Sequence, residues 1–170
     1  MTTKLLAILV PALLAACTTS GEGNGNDGAA IATDPTIRFE TSACFGFCPA
    51  FSFTLDSDGV GRYVGKSHVA AMGERTFTAT PEEYAALRDR LGEFRPDRSV
   101  SYDYENCDGP VATDHPSVEV AWMGSRADPV SLSWYMGCRQ PELVAHSEKI
   151  YGAWQELPAL VEFVGQPDER

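Results

Sequence analysis

The chain has 170 residues, with 24 acidic against 13 basic side chains and a formal net charge of −11. This charge opposes binding to polyanions, so the composition argues against a nucleic-acid partner and against an electrostatic contact with anionic lipid. Because net charge also keeps proteins soluble, the acidity by itself indicates no particular partner.

The first 17 residues have the pattern of a bacterial lipoprotein signal. Lys4 supplies a positive charge, and Leu5 to Ala16 form a run of 12 residues without charge. Such a run suits a signal peptide but is too short for a membrane-spanning helix, which needs about 20 apolar residues. It ends at Leu14-Ala15-Ala16-Cys17, which resembles the lipobox of lipoprotein precursors. We therefore predict a signal peptide over 1–16, cleavage between Ala16 and Cys17, and lipidation of Cys17. The alternative is an ordinary secretory signal with Cys17 as one more thiol.

The predicted lipid anchor and the residue after it also indicate where the protein is located. Two or three acyl chains hold a protein stably on a bilayer, whereas one chain binds only marginally. Thr18 follows the cysteine where enterobacterial lipoproteins kept at the inner membrane tend to have an acidic residue. This resemblance favours the outer membrane, facing the periplasm. Residues 17–36, rich in Gly, Ser and Asn, are predicted to be a flexible tether. The expected partners are the lipid bilayer, through acylated Cys17, and an unknown component of the envelope.

Residues 37–170 are predicted to form a single domain that begins with strands. Ile37 to Glu40 alternates apolar and polar side chains, as a half-buried strand does. Residues 50–65 read as a hairpin around Asp56-Ser57-Asp58-Gly59, and a further strand is expected around 74–79.

A helix is predicted to begin after Thr80. Thr80 can act as the N-cap, Pro81 suits the first helical position, and Glu83 completes a capping box. An apolar face follows at helical spacing, and Pro96 ends the helix; the face consists of Tyr84, Leu87, Leu91 and Phe94. A polar, tyrosine-rich loop is expected over 97–116.

A second hairpin and a last helix complete the predicted domain. Alternating segments around 118–122 and 130–134 flank a turn over 124–128. The last helix begins at Pro141 and ends at Pro158, with a stripe made of Leu143, Ile150, Trp154 and Leu157. The order β-β-β-α-β-β-α indicates an α+β fold in two layers, a mainly antiparallel sheet with two helices packed on one face.

The segment from Cys44 to Phe51, CFGFCPAF, is the most distinctive part of the chain. It resembles a bacterial family of small envelope proteins known only as a domain of unknown function (domain of unknown function 6438). The hallmark of that family is Cys-aromatic-Gly-x-Cys-Pro-x-aromatic, followed by an Asp-Gly turn and an aromatic-x-Gly ending. Here Asp58-Gly59 and Tyr63-Val64-Gly65 match. The resemblance covers about residues 37–157 and implies no known activity.

Cys44 and Cys48 allow three interpretations. We favour a structural disulfide, because thiols beyond the inner membrane meet oxidising conditions. In a strand their Cα atoms would lie about 13 Å apart, whereas a disulfide requires about 4.4–6.8 Å, so the chain must turn at residues 45–47. A redox pair is the alternative, although the spacing is C-x3-C and a strand follows. A tetrahedral metal site with Cys107 and Cys138 has poor zinc spacing.

The resemblance also bears on how the four cysteines pair. Cys107 and Cys138 are not part of the family pattern. Relatives that have only the equivalents of Cys44 and Cys48 imply that these two cysteines bond to each other and need no further cysteine. We therefore predict the pairs Cys44–Cys48 and Cys107–Cys138, the second of which would hold the 97–116 loop against the start of the last helix.

No catalytic constellation stands out. His68, His115 and His146 are far apart in sequence, and Asp103, Glu105, Asp108 and Asp114 lack the rhythm of a calcium loop. We predict no catalytic residue, cofactor or metal. The expected function is a non-enzymatic binding or structural module of the envelope. The alternative is thiol-disulfide exchange through Cys44 and Cys48.

Overall fold

The computed structural model describes residues 34–124 and 129–165. The predicted signal peptide, Cys17, the tether as far as residue 33 and most of the predicted turn over 124–128 lie outside these ranges. Within them, no helix is long and apolar enough to cross a membrane.

The strands form one seven-stranded sheet in the order β4-β3-β2-β1-β6-β7-β5. All neighbouring strands are antiparallel except β5 and β7, which run parallel. The strands are β1 Thr36–Thr41, β2 Ala50–Leu55, β3 Val60–Ser67, β4 Gly73–Thr78, β5 Val100–Tyr102, β6 Ser117–Met123 and β7 Val130–Tyr135. The predicted α+β class, the two hairpins and the strand around 74–79 are confirmed, but four strands precede the first helix, one more than the predicted order counts.

Alternation along the strands gives the sheet an apolar and a polar face. Side chains that point to the apolar face are buried in one core, which includes Ile37, Phe39, Phe51, Phe53, Tyr63, Val118, Val120, Trp122, Leu132 and Trp134. The opposite face carries Arg38, Glu40 and Lys66, which form ion pairs. Burial alone raises the pKa of Glu40, but hydrogen bonds and charges from Lys66 and Arg38 outweigh it and leave this pKa below its ordinary value.

Helix α1, Pro81–Gly92, begins as predicted. The Thr80 hydroxyl accepts a hydrogen bond from the Glu83 amide, and the Glu83 carboxylate accepts one from the Thr80 amide. These two bonds satisfy amides that have no partner within the helix. Tyr84, Leu87 and Leu91 are buried on the predicted face.

The prediction of one continuous helix from Pro141 to Pro158 was wrong. The segment forms two short helices and a 3-10 helix: α2 Pro141–Val144, α3 Ser147–Tyr151 and the 3-10 turn Ala153–Glu156. Pro158 does not end a helix but opens α4, Pro158–Val164, because proline suits the first helical position. The four side chains of the predicted stripe are nevertheless buried.

Arg90 contacts α3 and the 3-10 turn from α1. Its guanidinium donates to the carbonyl oxygens of Lys149 (2.8 Å) and Glu148 (3.1 Å), near the end of α3, and to the Glu156 carboxylate (2.6 Å). Carbonyls at a helix end need partners from outside the helix. A long-range contact from α1 therefore stabilises the end of α3.

The 97–116 loop also differs from the prediction, because it contains β5. Val100 and Tyr102 are half-buried at the edge of the core, and β5 pairs with β7 in parallel register, Val100 opposite Leu132. The Ser99 hydroxyl accepts a hydrogen bond from the Ser131 amide at the start of this pairing (3.1 Å).

Candidate functional site

The strand register collects four connections at one end of the sheet. β1, β3, β5 and β7 end there, and β2, β4 and β6 begin there. We call this the loop end and define it by residues 42–49, 68–72, 103–116 and 136–140. The opposite end, where the chain enters β1 at residues 34–36, we call the entry end. Both disulfides lie at the loop end.

Exposed apolar side chains concentrate at the loop end. The described residues include six large hydrophobic side chains with high exposure, and five of them lie there: Phe45, Phe47, Met72, Tyr104 and Val111. The sixth, Val60, lies at the entry end. Exposed apolar residues that cluster in this way mark interaction surfaces more often than scattered ones do.

The most exposed of these side chains belong to the cysteine loop, residues 44–48. Its disulfide brings the Cα atoms of Cys44 and Cys48 to 5.6 Å, and Gly46 turns the chain with a φ of 138°. Phe45 is 88% exposed and Phe47 is 82% exposed. The Phe47 ring makes an edge contact with the His68 ring, with ring centres 5.4 Å apart. The turn predicted at residues 45–47 is present, and it holds both rings out from the domain.

The base of the cysteine loop is fixed to the sheet. The Thr41 hydroxyl, almost fully buried, donates to the Pro49 carbonyl (2.8 Å) and accepts from the Phe51 amide (3.3 Å). Ser42 exchanges hydrogen bonds with Ser117, the first residue of β6. The cysteine loop is therefore closed by a covalent bond and anchored on both sides.

The long 103–116 connection is pinned against residues 136–140. The disulfide Cys107–Cys138 joins them with a Cα separation of 5.7 Å, and the amides of Ala112 and Arg139 bond across the same boundary. Gln140, which is buried, accepts from the Asp108 amide and donates to the Asp108 carboxylate, both at 3.2 Å. The Trp134 indole donates to the Cys138 carbonyl (2.9 Å), which ties this region to the core.

A stacked pair of tyrosines joins this connection to the last residue of β7. The rings of Tyr104 and Tyr135 lie 4.8 Å apart, and the Tyr104 hydroxyl donates to the Tyr135 hydroxyl (2.9 Å). Tyr135 in turn donates to the Ala112 carbonyl (2.9 Å). The hydrogen bond to Tyr135 raises the pKa of Tyr104.

The four acidic residues considered for calcium are spread along the 103–116 connection. Asp103 closes a turn, because its carboxylate accepts from the amides of Glu105 (2.9 Å) and Asn106 (3.1 Å), bonds that lower its pKa. Asp108 is bonded to Gln140, and Asp114 accepts from the Thr113 hydroxyl. Over residues 34–124 and 129–165, no three Asp, Glu, His or Cys side chains are grouped as a metal ion would require.

The three histidines lie apart. His68 follows β3 and His115 precedes β6, both at the loop end, whereas His146 lies between α2 and α3. His68 and Asp114 are the non-glycine residues with positive φ in the described chain, at 53° and 69°. Such backbone conformations are uncommon outside glycine, and they gather at functional sites.

The sequence pattern did not point to several residues of the loop end. No motif in the sequence singles out Met72, Tyr104, Tyr135 or Gln140. The four cysteines other than Cys17 were the useful signal, because each disulfide brings the residues around one cysteine close to those around the other. The convergence of four loops depends on strand order, which local patterns do not reveal.

The protein is thus an α+β domain with a loop end that two disulfides hold in place. The chain belongs to the family described as Domain of unknown function (DUF6438), whose model matches residues 35–152. No curated protein matches the chain.

Proposed function

We propose that this protein is a lipid-anchored module of the bacterial envelope that binds another envelope component through its loop end, without catalysis. The observation that carries the binding role is the exposure of Phe45 and Phe47 on a loop closed by a disulfide. Binding by a pre-organised loop orders few side chains on association, so little entropy is lost. The signal pattern and Cys17 support the anchor, and the periplasmic face of the outer membrane is the proposed location.

The test of the binding role removes the two exposed rings. We expect Phe45→Ser/Phe47→Ser to abolish chemical crosslinking of the full-length chain into larger complexes in intact cells, because aromatic anchors dominate most interfaces. Both side chains are exposed, so the melting temperature should stay within a few degrees of the wild type. The control is Val60→Ser, which removes an exposed apolar side chain from the entry end. Unchanged crosslinking of the double variant would refute the binding role.

Thiol-disulfide exchange through Cys44 and Cys48 is the competing function. The observation in its favour is that this disulfide sits, half-buried, in an exposed loop. The loop leads into β2 rather than a helix, however, so no helix N-terminus lies next in sequence to stabilise a thiolate. A structural bridge should have a reduction potential below about −300 mV, and a clearly more oxidising value would favour exchange.

A further inference from the structure

We infer that the partner bound at the loop end is a protein whose contact surface combines an apolar pocket with a basic rim. This inference rests on the proposed binding function and adds the chemistry of the partner. The tip that would enter the pocket consists of Phe45, Phe47 and Met72, which are 88%, 82% and 54% exposed.

The charges around the tip are distributed unevenly. Residues 42–49 contain no charged side chain, and 68–72 contain only His68. The neighbouring 103–116 connection carries four carboxylates and no Lys or Arg. Arg139 is the one Lys or Arg in the four connections. An apolar tip beside an acidic surface is complementary to an apolar pocket beside basic side chains.

The two parts are close enough to contact one partner together. Ser42, at the start of the cysteine-loop connection, bonds to Ser117, which directly follows the acidic connection; the amide of each serine donates to an oxygen of the other, at 3.0 Å and 2.8 Å. Asp114 lies three residues before Ser117. One surface on a partner can therefore cover the rings and meet the carboxylates.

A bilayer fits these observations less well than a protein does. Acidic side chains beside the tip are repelled by anionic lipid headgroups.

The experiment replaces Phe45 with a photo-crosslinking amino acid that keeps an aromatic ring, p-benzoylphenylalanine, in the full-length chain, in intact cells of the native host. The control position is Val60, exposed and apolar but at the entry end. We expect a protein adduct of discrete mass from position 45 that is missing from position 60. Neutralising two carboxylates of the loop end together, by Glu105→Gln and Asp114→Asn, should then lower the yield of this adduct about fivefold. Neutralising two exposed acids away from the loop end, Glu82→Gln and Asp97→Asn, should leave it unchanged.

The outcomes separate this inference from the proposed function. A phospholipid adduct alone would overturn the protein partner while leaving a binding role for the tip. A protein adduct that is insensitive to loop-end neutralisation would overturn the basic rim. No adduct at position 45 would overturn both the inference and the proposed binding function.

Discussion

At the residue scale, Gly61 shows how one missing side chain permits the packing of a whole strand. It lies in β3 directly opposite Phe77 of β4, and the Phe77 ring occupies the space that a Cβ at position 61 would need. This places Phe77 in an edge contact with Phe53, with ring centres 6.4 Å apart. A glycine can be required in a strand for close approach of a neighbour, although its backbone is otherwise unfavourable there.

We expect Gly61→Ala to lower the free energy of unfolding by about 1–3 kcal/mol, because the added methyl group must displace a buried ring. Chemical denaturation would measure this change. The matched control is Gly92→Ala at the end of α1, where an added Cβ meets no atom within 4 Å. That substitution should be neutral or stabilising by up to about 1 kcal/mol. Equal effects at the two positions would contradict the packing argument.

At the element scale, the long connection between β5 and β6 owes its order to tertiary contacts. It has little regular structure of its own, but a disulfide, several backbone bonds and the Gln140 amide hold it against residues 136–140. The cysteine loop, in contrast, closes only four residues of separation. The two disulfides should therefore contribute differently to stability, since the entropy removed from the unfolded chain grows with loop length.

We expect Cys107→Ser/Cys138→Ser to lower the free energy of unfolding by about 3–4 kcal/mol and to loosen the loop while the sheet stays folded. Cys44→Ser/Cys48→Ser should cost only about 2 kcal/mol by the same relation. Thermal unfolding measures both, and hydrogen exchange on residues 103–116 reports the loosening. A larger effect from the cysteine-loop pair would contradict the chain-entropy explanation. Non-reducing peptide maps that link Cys44 or Cys48 to Cys107 or Cys138 would contradict the pairing.

At the scale of the whole molecule, the sheet separates the entry of the chain from the candidate binding surface. The antiparallel order places residues 34–36 at one end and the two disulfides at the other. A module built in this way can be attached at one end and bind at the other. The proposed attachment would depend on lipidation of Cys17.

We expect Cys17→Ser to abolish labelling of the protein with palmitate and to leave it unprocessed or soluble on fractionation. The physical reason is that the acyl chains on Cys17 would supply the apolar surface that holds the protein on the bilayer. Cys107→Ser, which leaves Cys17 in place, is the control and should label normally. Equal labelling of the wild type and Cys17→Ser would contradict the lipoprotein assignment.

Sequence patterns alone determined the local parts of this protein. The capping box at Thr80, the two hairpins and the buried faces of the strands follow from propensities and periodicities within a few residues. These patterns also sufficed for the α+β class.

Only the tertiary structure decided the rest. β5 exists because β7 offers it a parallel edge, and Arg90 of α1 donates to the carbonyls of Glu148 and Lys149 in α3. The candidate site is likewise non-local, because Phe47 meets His68, and Tyr104 meets Tyr135, only after the strands are ordered. Such contacts join residues far apart in the chain, so a short segment of sequence cannot predict them.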